Sequence, residues 1–267
     1  MILYPHAKVN IGLYITKRRS DGYHELETVF YPLPIHDILE IKKWDEDVWE
    51  QTGLEIRGGG NLCLKALEVF RRETGIDQKI YLHLHKQIPM QAGLGGGSSD
   101  ASFVLRGLDE IFETHLGYEK LNSMATEIGA DCPFFLLDDP AFGKGIGEKL
   151  EKFNLELSEY QWVLIKPNFS VSTQEAFQKI TPKPAPEGWT DLLLESPEKW
   201  GVRIENKFQL GLEFKYPEII EITNRLEQKG VLYSSLTGTG SVVYGIFPKT
   251  KRITLEDFSD LGEVILC

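Results

Sequence analysis

The chain has 267 residues, 42% of them hydrophobic and 26% charged, with a formal net charge of −11. That balance fits a globular protein of one large or two ordinary domains and excludes a disordered or fibrous chain. The acidic surplus argues against non-specific nucleic-acid binding through a basic surface, and no run of 18 apolar residues offers a membrane span.

The first residues, Met1 to Lys8, lack the basic region and long apolar core of a secretory signal. The three cysteines (Cys63, Cys132 and Cys267) are far apart, odd in number and without metal spacing. The expectation is a cytoplasmic protein with no disulfide framework.

Lys8 to Ile15 reads as a strand. Val9, Ile11, Leu13 and Ile15 share one face, and Lys8, Asn10, Gly12 and Tyr14 share the other. Lys8 and Asn10 point the same way, on either an ordinary solvated face or a functional one. Thr16 to Gly22 is a turn ending in Asp-Gly. Tyr23 to Tyr31 returns as a strand, Leu39 and Ile41 suggest another, and Leu54 to Arg57 a further short one. Gly58 to Gly60 then lead into Asn61, a good N-cap, before a helix with Cys63, Ala66, Leu67 and Phe70 on its apolar stripe.

In Lys79 to His85 the residues Ile80, Leu82 and Leu84 alternate with polar ones, the sign of a half-buried strand. Ala101, Val104, Leu105, Leu108, Ile111 and Phe112 recur at helical spacing. Between them lies Pro89-Met-Gln-Ala-Gly-Leu-Gly-Gly-Gly-Ser-Ser-Asp100. The order is strand, glycine loop, helix, with Ser98 or Ser99 placed to cap the helix. Glycines let a ligand approach the backbone, and consecutive N–H groups ahead of a helix form an anion nest. A polyphosphate suits that nest, and against the net negative charge it needs local positive potential. The loop lacks the Gly-Lys-Ser/Thr ending of a P-loop, and from Gly93 the sixth position is Ser98, outside the Rossmann fingerprint. A glycine hinge without ligand is the alternative.

A second helix is expected over Tyr118 to Ile128, stopped by Gly129. Asp131 follows, just before the apolar run Pro133 to Leu137, which reads as a buried strand. It is either a turn aspartate bonding its own backbone or part of a site, and position alone does not decide. The pattern changes around Lys152 to Tyr160, which divides the chain into blocks 1–155 and 156–267. In the second block Trp162 to Pro167 is a short buried strand. Ser172 to Glu175 is a capping box opening a helix with Ala176, Phe177 and Ile180. A proline-rich loop over Thr181 to Trp189 follows, then a helix carrying Ile219, Ile222 and Leu226 and ended by Lys229-Gly230. Leu236 to Phe247 is a second glycine turn feeding a strand. His83 and His85 share a strand face, but no third metal ligand follows at fitting spacing. His6, His36 and His115 read as ordinary histidines, and no Gly-x-Ser-x-Gly or His-Glu-x-x-His pattern appears.

Pro5-His-Ala-Lys-Val-Asn-Ile-Gly12, Pro89 to Ser99 and Leu236-Thr-Gly-Thr-Gly-Ser241 together resemble the three ordered motifs of the small-molecule kinases named after galactose, homoserine, mevalonate and phosphomevalonate. Asp21-Gly-Tyr-His24 and Gly129-Ala-Asp-Cys-Pro133 resemble the branch of that family whose substrate is a cytidine-diphosphate-linked polyol of the non-mevalonate isoprenoid route. The resemblance implies an α+β fold of two domains, an S5-like N-terminal ATP-binding domain and a ferredoxin-like C-terminal substrate-side domain, with the active site in the cleft. It implies transfer of the γ-phosphoryl group of ATP to the substrate's 2-hydroxyl. Lys8 and Asp131 match the catalytic pair, and Asn10 a substrate contact. Tyr23 and His24 match the pair that holds the cytosine. Pro89, Met90, Gln91, Ala92, Gly93, Leu94, Gly95, Gly96, Gly97, Ser98 and Ser99 match the ATP phosphate loop. Asn61 and Lys86 match positions near the nucleotide base. Thr237, Gly238, Thr239 and Gly240 form the third motif. Mg²⁺ is expected with ATP, near Ser98 or Ser99 and without a dedicated protein site. No nucleic acid, membrane or obligate protein partner is expected. Gln91-Ala92 stands where many members have small residues, Asp100 where Asn is usual, and the short stretch after Phe247 implies a reduced final helix. Another kinase of the family, acting on homoserine or a mevalonate derivative, is the alternative, and a non-catalytic phosphate-binding module a further one. Tyr23-His24 speaks against the first, and the presence of both Lys8 and Asp131 against the second.

Overall fold

A computed structural model describes residues 1–56, 61–178 and 180–267. In chain order its elements are β1 (Ile2–Leu3), β2 (His6–Arg18), β3 (His24–His36), β4 (Ile38–Lys43), β5 (Val48–Gly53), α1 (Leu62–Thr74), β6 (Ile80–Lys86), α2 (Gly96–Phe112), α3 (Gly117–Ile128), β7 (Ala141–Lys144), β8 (Lys149–Lys152) and β9 (Tyr160–Lys166). There follow α4 (Thr173–Gln178), α5 (Trp189–Leu192), α6 (Gln209–Glu213), α7 (Glu218–Gln228), β10 (Tyr233–Leu236), β11 (Val243–Pro248) and β12 (Glu263–Leu266).

The chain forms two compact units. The first comprises Met1–Lys8, Pro32–Met90 and Gly95–Asp139; the second comprises Val9–Tyr31, Gln91–Leu94 and Pro140–Cys267. They interleave along the sequence, and the division at 155/156 falls inside the second. Strand β2 is shared covalently, giving Lys8 to the first unit and Asn10 to the second.

In the first unit a sheet of order β1-β4-β6-β5 is antiparallel except for the parallel pair β5–β6. The inward series of β6 runs Ile80, Leu82, Leu84 and then Lys86, all buried. Helices α1, α2 and α3 pack on one another, and α2 also packs on β4. Asn61 caps α1 as expected, its Oδ1 accepting the Cys63 N–H at 2.9 Å.

The second unit holds the sheet β2-β3-β7-β8, apart from the first residues of β2 and the last of β3, and the sheet β10-β11-β9-β12. The latter follows the order strand, helix, strand, strand, strand with β9 and β11 central, which is the ferredoxin-like arrangement. Its second crossover is reduced to the 3-10 helix Leu255–Asp257, as the short stretch after Phe247 implied. Leu13 and Ile15 of β2 join Val163, Ile219, Ile222 and Phe247 in one core.

Four local expectations are corrected. The strand expected at Leu54 lies upstream at Val48–Gly53, where parallel pairing with β6 satisfies the backbone, and Leu54 N–H donates to the Lys86 carbonyl at 2.8 Å. Arg57 and the run Gly58–Gly60 lie outside the described residues. Helix α2 begins at Gly96, so Ser98 and Ser99 sit inside its first turn and cap nothing; Gly95 takes the cap position without a side-chain bond. The run led by Pro133 is the 3-10 helix Cys132–Leu136, since proline without an N–H fits a helix's first turn better than a central strand. Helix α4 ends at Gln178, leaving Ile180 beyond it, while its cap holds: Glu175 N–H donates to Ser172 Oγ at 3.1 Å.

Candidate active site

The first unit brings Lys8 and Asp131 together. The lysine side chain is only 3% exposed, so its face of β2 is not a solvated one. Its Nζ stands 3.4 Å from Asp131 Oδ2, and the aspartate is 37% exposed. Asp131 sits just before the 3-10 helix and makes no side-chain cap bond there. Two bonds fix this corner: Cys132 N–H donates to the Gly129 carbonyl at 3.1 Å, and Ser102 Oγ of α2 donates to the Cys132 carbonyl at 2.7 Å.

The N-terminus of α2 lies in the same unit. Gly95 has φ +70°, a conformation glycine takes without strain. A Cβ on it would lie 2.7 Å from Phe135 Cζ and 3.0 Å from Lys8 Cε. The close-packed turn therefore rests directly on the Lys8 side chain. Helix geometry leaves the amides of Gly96, Gly97 and Ser98 without intrahelical acceptors, and Gly95 at the cap position offers them no side-chain bond. Amides open in this way, with the helix dipole behind them, bind anions. Ser98 is half-buried, whereas Ser99 is sealed and its Oγ lacks a hydrogen-bond partner among the described residues.

Lys86 is placed differently from its expectation. Its side chain is 2% exposed, and its ammonium bonds Asp37 and, at 2.8 Å, Asp100. Burial pulls that ammonium down, but the two carboxylates outweigh burial and hold it above its ordinary value. Burial also pushes the Asp100 carboxyl up, against the pull of Lys86. The Lys86 side chain thus lies in the core, with no open face for a nucleotide base.

The second unit gathers the other expected residues. Asn10 is buried: its N–H donates to Thr237 Oγ1 at 3.1 Å, its Nδ2 to Thr28 Oγ1 at 3.0 Å, and its carbonyl accepts from Tyr244 OH at 3.1 Å. Thr237 Oγ1 also donates to the Gly93 carbonyl at 3.2 Å, and Ala92 accepts from Val242 N–H at 3.2 Å. The third glycine motif thus buttresses the start of the glycine loop, Gln91 to Leu94. A Cβ on Gly93 would meet the Thr237 carbonyl oxygen at 2.1 Å, so this approach requires glycine. Gly240 N–H closes the turn on the Thr237 carbonyl at 2.9 Å. Gln91 takes φ +51°, a left-handed conformation uncommon for a residue other than glycine.

Tyr23 is 61% exposed at the end of a turn fixed by Asp21, which accepts the Tyr23 N–H at 3.1 Å and pairs with Arg19. His24 stacks on Phe177, with ring centroids 4.9 Å apart and planes 28° apart. Burial first, and Arg18 second, hold the His24 imidazole below its ordinary value, so it is neutral at pH 7. Phe177 was read in the sequence only as part of a helix stripe; nothing local marks it as an aromatic partner for His24. His83 and His85 both bond Thr52 Oγ1 at 2.9 Å.

Comparisons with known proteins identify the family. Residues 61–139 match the family described as GHMP kinases N terminal domain, and residues 190–258 match GHMP kinases C terminal. A 4-diphosphocytidyl-2-C-methyl-D-erythritol kinase from Bacteroides fragilis is 42% identical over 264 residues, covering 97% of this chain and 96% of the relative. One from Cytophaga hutchinsonii is 33% identical over 268 residues, covering 99% of each. A crystal structure of 4-(cytidine 5'-diphospho)-2C-methyl-D-erythritol kinase superposes with a TM-score of 0.83 at 29% identity, covering 100% of this chain and 98% of that one. A mevalonate kinase structure, at 16% identity and a TM-score of 0.71, shares the fold. With two matched domains and relatives this similar along nearly the whole length, the chain belongs to the 4-diphosphocytidyl-2-C-methyl-D-erythritol kinases of the GHMP kinase family.

Proposed function

We infer that the protein transfers the γ-phosphoryl group of ATP to the 2-hydroxyl of 4-diphosphocytidyl-2-C-methyl-D-erythritol, a step toward isoprenoid precursors. The observation that carries the reading is the Lys8–Asp131 pair, 3.4 Å apart, in the same unit as the uncapped N-terminus of α2. Phosphoryl transfer needs positioning and charge stabilisation more than covalent help. The amides of Gly96, Gly97 and Ser98 hold the phosphates. Asp131 accepts the proton of the attacking hydroxyl, a role worth about 10²–10⁴-fold. Lys8 provides positive charge where the transferred phosphoryl group is most negative. Tyr23 and His24, with Phe177 behind the imidazole, receive the cytosine, and Asn10 orients the substrate.

Among the described residues no group of three His, Cys, Asp or Glu side chains is placed to hold a metal. A magnesium ion carried in by the phosphates needs few protein ligands, and the half-buried Ser98 hydroxyl fits as its protein donor, whereas the sealed Ser99 does not. When bound, the ion neutralises charge on the phosphate oxygens. No helix among the described residues is long and apolar enough to cross a membrane. Cys63, Cys132 and Cys267 are all free thiols, which supports action in a reducing compartment such as the cytoplasm.

An ATP-consumption assay with the cytidyl substrate beside homoserine and mevalonate tests the reading. Turnover is expected only with the first. Turnover with homoserine or mevalonate alone would reassign the substrate, and ATP binding without turnover on any of them would leave a phosphate-binding module.

A further inference from the structure

Three buried charges lie directly behind the glycine turn. Lys86 is the last inward residue of β6, where the alternation that buries Ile80, Leu82 and Leu84 carries an ammonium into the core. Asp37, fully buried just before β4, bonds that ammonium through Oδ2. Its Oδ1 accepts the N–H groups of Gln87 at 2.5 Å and Ile88 at 2.9 Å, fixing the segment that leads into the loop. Asp100, in the second turn of α2, takes the ammonium from the other side at 2.8 Å. A Cβ on Gly96, the first residue of α2, would stand 2.8 Å from Lys86 Nζ. The lysine therefore ties the segment before the loop to the helix after it, immediately behind the open amides.

Stability alone is a weak reason for such a set, because buried ion pairs can often be replaced by apolar side chains of similar volume without loss. Their location gives a better one. We propose that Lys86, gripped by Asp37 and Asp100, is a positioning residue that sets the Gly96–Ser98 amides for a polyphosphate, rather than a contact to the nucleotide base. The inference rests on the reading of this loop as the phosphate cradle.

The test is binding of adenosine, ADP and ATP to wild type and to Lys86→Met, by competition and calorimetry, with KM for the cytidyl substrate measured alongside. Positioning of the amides predicts that ADP and ATP weaken about 10- to 100-fold, the scale that a misplacement of about an ångström carries. Adenosine affinity and the cytidyl KM should stay within about twofold. Single removal of the lysine leaves two buried carboxylates facing each other, and that variant can fail to fold. The triple variant Asp37→Asn, Lys86→Met, Asp100→Asn leaves no uncompensated charge; it should fold and show the same selective loss. Equal losses for adenosine and ATP would return Lys86 to the base site. ATP affinity unchanged in a folded variant would reduce the set to core packing. Either result overturns this inference alone, whereas a wild type that binds no ATP overturns the phosphate-cradle reading beneath it.

Discussion

Replacing Gly95 by alanine tests whether the loop and Lys8, the lysine proposed to act in catalysis, are one mechanical unit. Two costs add at this position. An L-residue at φ +70° is disfavoured by about 1–2 kcal/mol. The new Cβ, 2.7 Å from Phe135 Cζ and 3.0 and 3.1 Å from Lys8 Cε and Cγ, overpacks the site by about 1–3 kcal/mol. The sum, about 2–5 kcal/mol, corresponds to a fall in Tm of about 5–15 °C for a protein of this size. Relief of the clash moves Phe135 or the Lys8 stem, and Lys8 is the residue held against Asp131. Thus kcat should fall about 10²-fold along with the loss of ATP affinity. The control is Gly97→Ala, where the nearest atom, Leu62 Cδ1, is 3.6 Å away and the backbone is helical. Its melting point should match or exceed that of wild type, because alanine favours helix by about 0.5–1 kcal/mol over glycine. Thermal melts followed by circular dichroism and steady-state kinetics in both substrates give all the numbers. A Gly95→Ala protein that melts and turns over like wild type would refute the coupling of loop and lysine.

Asp131→Asn keeps the size of the side chain but removes the proton acceptor; kcat should fall by about 10² or more with substrate affinity little changed, and a change confined to KM would move Asp131 from chemistry to binding. His24→Ala removes a ring that stacks on Phe177, and the cytidyl KM should rise roughly 5- to 150-fold, from about 1–3 kcal/mol of base stacking; equal affinity of wild type and variant for CMP would sink the base-clamp role. Thr237→Val removes the acceptor of the buried Asn10 N–H and the donor to the Gly93 carbonyl, at a cost of about 1–3 kcal/mol for the stranded group; an unchanged denaturation midpoint would show that the buttress is not needed. Asp47 pairs with Arg71 and accepts the Ile80 N–H, and the guanidinium foremost holds its carboxyl down to about 2. Because this folded value lies below the unfolded one of about 3.9, the pair stabilises above about pH 4 and is lost as pH falls through about 2. Asp47→Asn should therefore differ from wild type at pH 6 and converge with it near pH 2, and a constant difference across that range would contradict the assignment.

Local pattern in the sequence determined the elements that carry the chemistry. The alternation of Ile80, Leu82 and Leu84 and the helical spacing from Ala101 to Phe112 framed the loop as strand, turn and helix, and both elements are present. Such periodicities are legible because each residue's face follows from its neighbours' geometry alone. The short stretch after Phe247 likewise foretold a reduced final crossover. The tertiary structure decided how the polar residues are used. Local pattern left the exposure of Lys8 open, and the tertiary structure buries it with Asp131 of the turn before the 3-10 helix beside it. Serine propensity put a cap at Ser98 or Ser99, but the left-handed turn at Gly95 starts the helix earlier and leaves its first amides open. Lys86 continued a buried face that could be counted along the strand, yet its partners Asp37 and Asp100 come from other segments, as Phe177 does for His24. Which remote side chains meet depends on strand order and helix packing, and local spacing carries no record of either.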